Sequence, residues 1–104
     1  MPYVPLGRAA DVPPNSVRQI VLEGRPPIAL YHLVDGFFAT DDLCSHGEAS
    51  LAEGDIEDGE IVCPFHLGKF DIRSGMPTAA PCQVAIKAYP VVLDENGNLY
   101  IEMS

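Results

Sequence analysis

Two short runs govern what this chain can fold into: Cys44-Ser45-His46-Gly47 and Cys63-Pro64-Phe65-His66-Leu67-Gly68. Each carries one thiol and one imidazole, spaced C-x-H in the first and C-x-x-H in the second, with 16 residues between His46 and Cys63. Ligands this close in sequence converge on a common centre only from a tight loop. Gly47 and Gly68 near the two His, and Pro64 inside the second run, suit such loops. For two loops to share one centre they must be held side by side, so the rest of the chain has to supply a rigid frame.

The frame reads as strands. Val17-Arg18-Gln19-Ile20-Val21-Leu22 and Ile28-Ala29-Leu30-Tyr31-His32-Leu33-Val34 are rich in β-branched and aromatic residues. Asp35-Gly36 predicts a two-residue hairpin turn, and Phe37-Phe38-Ala39-Thr40 the returning strand. Val84 to Tyr89 and Val91-Val92-Leu93 look extended, interrupted by Pro90. Glu95-Asn96-Gly97-Asn98 is a second turn, and Leu99 to Met103 closes the chain as a strand. Ten scattered Pro disfavour long helices. The expected fold is all-β: a small antiparallel barrel or sandwich, a single domain over 1–104, with a cluster-binding subdomain inserted at about 41–81. That insert holds both runs, the polar stretch Glu53 to Gly59, and a loop from Gly75 to Cys82. A domain of 104 residues buries a modest core and gains from a metal staple.

The mixed pairing bears on the metal. Zinc sites usually place Cys near Cys and His near His, whereas here each run holds one of both. A two-iron cluster between two loops explains the doubled motif better than a single ion, and zinc stays open as the alternative, in a structural interaction module. A Cys–His nucleophile needs one pair only and leaves the second unexplained. Three Cys, an odd and small count, do not form a secreted disulfide framework.

Bulk charge narrows the partners. Fifteen acids against six Lys and Arg give a formal net charge of -9. A phosphate backbone or an anionic membrane repels such a surface, so neither nucleic acid nor membrane is an expected partner. The same charge suits fast, weak docking onto basic patches of other proteins, or serves solubility alone. No apolar run is long enough to span a bilayer, and the start Met1-Pro2-Tyr3-Val4-Pro5 lacks signal-peptide character, so a cytoplasmic location is expected.

Cys44-Ser45-His46-Gly47, Cys63 through Asp71, Gly75-Met76-Pro77 and Pro81-Cys82 together resemble the Rieske-type [2Fe–2S] ferredoxins of bacterial aromatic-ring-hydroxylating dioxygenase systems, such as those acting on biphenyl, naphthalene or carbazole. The resemblance runs over essentially the full length. It implies that Cys44 and Cys63 hold one iron and His46 and His66 the other. Two ferric ions, two sulfides and two thiolates sum to roughly zero charge, so reduction is easier than for a four-Cys cluster, from about −400 mV to about −150 mV or higher.

The resemblance also implies a relay in aromatic hydrocarbon catabolism. A flavoprotein ferredoxin reductase supplies single electrons, and a terminal Rieske non-haem iron oxygenase receives them. This chain then acts as a carrier, most simply a monomer, with no catalytic site of its own. The alternative is a ferredoxin of a monooxygenase, or the small subunit of an assimilatory nitrite reductase. Against the respiratory Rieske pattern, Ala49 and Phe65 replace the two Cys of its loop-tying disulfide. Gly68 and Phe70 replace the Ser and Tyr whose hydroxyls raise the potential. A potential at the low end of the Rieske range follows, with little pH dependence near neutrality. Pro64, Phe65, Met76 and Pro81 are expected to form an apolar collar, Cys82 a buried free thiol, and His32 a structural or surface residue. Glu48 and Lys69 are either docking groups or solvated charges.

Overall fold

The computed structural model describes residues 3–43, 49–64, 68–79 and 84–102. Eleven strands are present among them: β1 (Tyr3–Arg8), β2 (Ser16–Ile20), β3 (Ile28–Leu33), β4 (Gly36–Asp41), β5 (Asp55–Glu57), β6 (Glu60–Val62), β7 (Lys69–Asp71), β8 (Pro77–Ala79), β9 (Ala88–Tyr89), β10 (Val91–Leu93) and β11 (Asn98–Glu102). They pair antiparallel into three sheets, in the orders β1-β11-β10, β2-β3-β4-β9 and β5-β6-β7-β8. Two short 3-10 turns, Ala9–Asp11 and Leu51–Glu53, are the only helical elements among the described residues. No helix among them is long and apolar enough to cross a membrane.

β3 explains the layering. Successive side chains of a strand point to opposite faces, so a strand covered on both sides reads as an unbroken apolar run. Ile28 and Leu30 face a core shared with Leu6, Val12, Ala39, Tyr89, Leu99 and Ile101. Ala29, Tyr31 and Leu33 face a second core with Leu51, Ile61, Cys63, Phe70 and Ile72. The neighbours agree in register: Val17 and Phe38, both opposite Tyr31, join the second core. Ala39, opposite Leu30, joins the first. The sheet containing β3 is thus a central wall. The sheet built from both chain ends covers one face, and the inserted β5–β8 sheet covers the other.

The expected all-β sandwich with an inserted subdomain is what the chain adopts, with several differences of detail. The β3–β4 turn is Val34-Asp35, one residue earlier than expected, because Gly36 already pairs with Leu33 and opens β4 at φ +141°. β1 was not foreseen. Pro5 and Gly7 interrupt its pattern, and the structure absorbs them in a register shift between those two residues. The polar stretch Glu53 to Gly59 contains β5 and turns into β6 through Asp58 (φ +49°) and Gly59 (φ +81°). Both central residues are left-handed, the type I′ geometry that Asp-Gly favours. Of Val84 to Tyr89, only Ala88 and Tyr89 pair in a sheet.

Candidate metal centre

Of the four expected ligands, Cys63 is described. Cys44, His46 and His66 lie outside the described residues, as do Glu48, Phe65, Pro81 and Cys82. The structure does describe where the chain leaves for each run and where it returns.

The first run departs after β4. Leu43 bridges antiparallel to Ser50, and the Leu51 N–H donates to the Asp42 carbonyl at 2.7 Å. The chain therefore leaves and re-enters within one strand spacing. The second run is closed the same way: the Cys63 N–H donates to the Gly68 carbonyl at 2.7 Å, between the end of β6 and the start of β7. Ala49 and Leu51 on either side of Ser50 at the first closure, and Cys63 and Phe70 at the second, belong to one buried core. Two closures on one core are the frame that the sequence demanded.

Cys63 is wholly buried. Its environment is shaped by close backbone approach. At Gly54 any Cβ would collide with the Val62 carbonyl, so only glycine lets the chain before β5 lie against β6 next to Cys63. A third approach follows β8. Gly75 (φ +79°) abuts the Ile86 carbonyl where a Cβ would sit, and its own carbonyl accepts from the Ile86 N–H at 2.9 Å. This latches the chain after residue 83 to the β7–β8 turn.

Asp42 was missed by sequence reasoning, since nothing local separates it from Asp41. It is 1 % exposed. Its Oδ2 accepts from Ser50 Oγ at 2.6 Å and Gln19 Nε2 at 2.8 Å, and its Oδ1 from the Ala52 N–H at 2.9 Å. Nearby, the Tyr31 hydroxyl hydrogen-bonds Thr40 Oγ1 at 2.8 Å; because Thr40 donates to the Asp41 carbonyl, Tyr31 is the donor. Burial pushes the Tyr31 phenol far above its ordinary range, against the Thr40 contact, and the charge of Asp42 adds to the rise.

The remaining candidates resolve as follows. Lys69 pairs with Glu57 at 3.2 Å. Of the expected collar, Met76 and Pro64 are exposed, and Phe65 and Pro81 lie outside the described residues. His32 is structural: its Nδ1 donates to the Val12 carbonyl at 2.8 Å and its ring stacks on Phe37 at 4.1 Å. Ala49, Gly68 and Phe70 are buried, and none carries a thiol or hydroxyl. Among the described residues, no group of three or more His, Cys, Asp or Glu gathers around an ion position.

The donor chemistry fits an iron–sulfur cluster. A soft thiolate belongs at a buried position over an apolar core, and the short C-x-x-H run begins at such a position. The family model for the Rieske [2Fe-2S] domain matches residues 2–90. Ferredoxin CarAc of Metapseudomonas resinovorans is 41% identical over 93 residues, covering 89% of this chain and 86% of the relative. The ferredoxin of carbazole 1,9a-dioxygenase from Nocardioides aromaticivorans IC177 superposes with a TM-score of 0.92 at 31% identity, covering 100% of both chains. A ferredoxin in a solved complex of reduced oxygenase and oxidized ferredoxin in carbazole 1,9a-dioxygenase matches with a TM-score of 0.90 at 36% identity, covering 98% of this chain and 97% of that one. The chain belongs to the Rieske [2Fe–2S] domain family and is one of its ferredoxins.

Proposed function

We propose that this protein is the electron-transfer ferredoxin of a multicomponent aromatic-ring dioxygenase system, with Cys44 and Cys63 on one iron and His46 and His66 on the other. The observation that carries the reading is the pair of backbone closures on one core, at Leu43–Ser50 and Cys63–Gly68, each enclosing one Cys/His run. The full-length likeness to a ferredoxin solved with its oxygenase supports the oxygenase as electron acceptor. When bound, the cluster supplies a one-electron couple. The chain's own contribution is to bury Cys63 and keep an apolar wall of Ile61, Phe70 and Ile72 in the same core.

A flavoprotein reductase is the donor in this reading, the terminal oxygenase the acceptor, the cytoplasm the location, and the protein itself is not an enzyme. The positions of Gly68 and Phe70 lower the potential, since neither offers a hydroxyl to the cluster sulfurs. A reconstituted relay tests this. With NADH, a dioxygenase reductase and its oxygenase, hydroxylation of the ring should depend on this protein and be lost in Cys63→Ser. Turnover that is equally fast without it contradicts the assignment.

A further inference from the structure

Asp42 is a carboxylate in the core with no role in the ligand set, and burying a charge is costly unless its bonds are met. Three donors meet them, two of them from the segment that follows the first run. Ser50 and Ala52 lie just after the run returns, and Gln19 lies on β2. The backbone of Asp42 joins the same knot: its carbonyl accepts from the Leu51 N–H at 2.7 Å, and its N–H donates to the Pro27 carbonyl at 3.2 Å. The Ser50, Leu51 and Ala52 contacts tie the point of departure of the Cys44–His46 run to its point of return, and the Gln19 and Pro27 contacts anchor that knot to β2 and to the segment before β3. None of the ion pairs among the described residues involves Asp42. In the sequence Asp42 stands two residues before Cys44.

We infer that Asp42 is a positioning residue for the first ligand run, and that its buried charge also holds the reduction potential down. This rests on the ligand set proposed above. The two effects have separable signatures. Removing the charge makes addition of an electron nearby easier, whereas removing one donor to the charge leaves it less neutralised and makes addition harder. Loosening of the run weakens cluster retention in either case, and loss of partners behind metal ligands costs on the order of tenfold or more in metal affinity.

Asp42→Asn and Ser50→Ala test this, measured as loaded proteins by voltammetry, EPR of the reduced state, and the rate of iron loss to a chelator. Asp42→Asn should raise the potential, Ser50→Ala should lower it, and both should lose iron roughly tenfold faster than wild type. Shifts of the same sign in both variants, or potentials and g values unchanged from wild type, overturn the inference. If Asp42→Asn does not load, the sign of the Ser50→Ala shift decides. A wild-type protein without a mixed Cys/His iron–sulfur signal defeats the ligand assignment instead, independently of how the variants behave.

Discussion

Asp94 gathers the β10–β11 turn through one carboxylate. Its Oδ1 accepts from the Asn96 and Asn98 N–H groups, each at 2.9 Å, and its Oδ2 from Asn98 Nδ2 and the Tyr100 hydroxyl, each at 3.3 Å. The Asn98 backbone N–H, first among these contacts, holds the carboxyl below the usual carboxylate range. A depressed folded-state pKa contributes stability that is present above the unfolded value, near 3.9, and lost as pH falls through the folded one. Asp94→Asn should therefore lower the melting temperature at neutral pH, with the gap from wild type closing below about pH 4. A gap that persists undiminished in acid contradicts this account. The turn was legible from Glu95-Asn96-Gly97-Asn98, but its organiser was not. Asp94 and Asp42 both act through donors that only the fold brings to them, and an isolated Asp in a sequence carries no mark of such partners.

At the level of elements, legibility followed the pattern of burial. β3, covered on both faces, was readable as a continuous apolar run, and β4, β10 and β11 with their turns were close behind. The short strands of the insert were not. β5 and β6 together offer Ile56, Ile61 and Val62 among three acids, Asp55, Glu57 and Glu60, and a three-residue strand has too little alternation to register. What fixes them is tertiary, above all the contact of Gly54 with the Val62 carbonyl. Gly54→Ala forces the backbone before β5 away from β6 and should destabilise the protein by about 1–3 kcal/mol, the range for overpacking a tight site. Urea unfolding measures it. A midpoint within error of wild type shows that the two segments can separate at no cost.

The insert also carries much of the molecule's charge. Glu57 stands opposite Glu60, and Glu60 opposite Asp71, so three carboxylates line up across β5, β6 and β7, and Lys69 pairs with Glu57 in that row. Like charges directly opposite one another destabilise a sheet. With a formal net charge of -9 over the whole chain, this surface favours encounter with a basic face. The rate of electron transfer to the terminal oxygenase should accordingly fall as salt is raised, without change in the protein's midpoint potential. A rate insensitive to ionic strength contradicts electrostatic docking. The two Cys/His runs were the most legible feature of the molecule because their chemistry is local, while the backbone closures at Ser50 and Gly68 are products of the whole fold. The central claim, a mixed Cys/His two-iron centre tuned low, is tested most directly by potentiometric titration of the purified protein followed by EPR. The account predicts a reduced-state signal of low average g and a midpoint near about −150 mV that hardly moves with pH around neutrality. A colourless zinc protein, or a clearly positive midpoint, would contradict it.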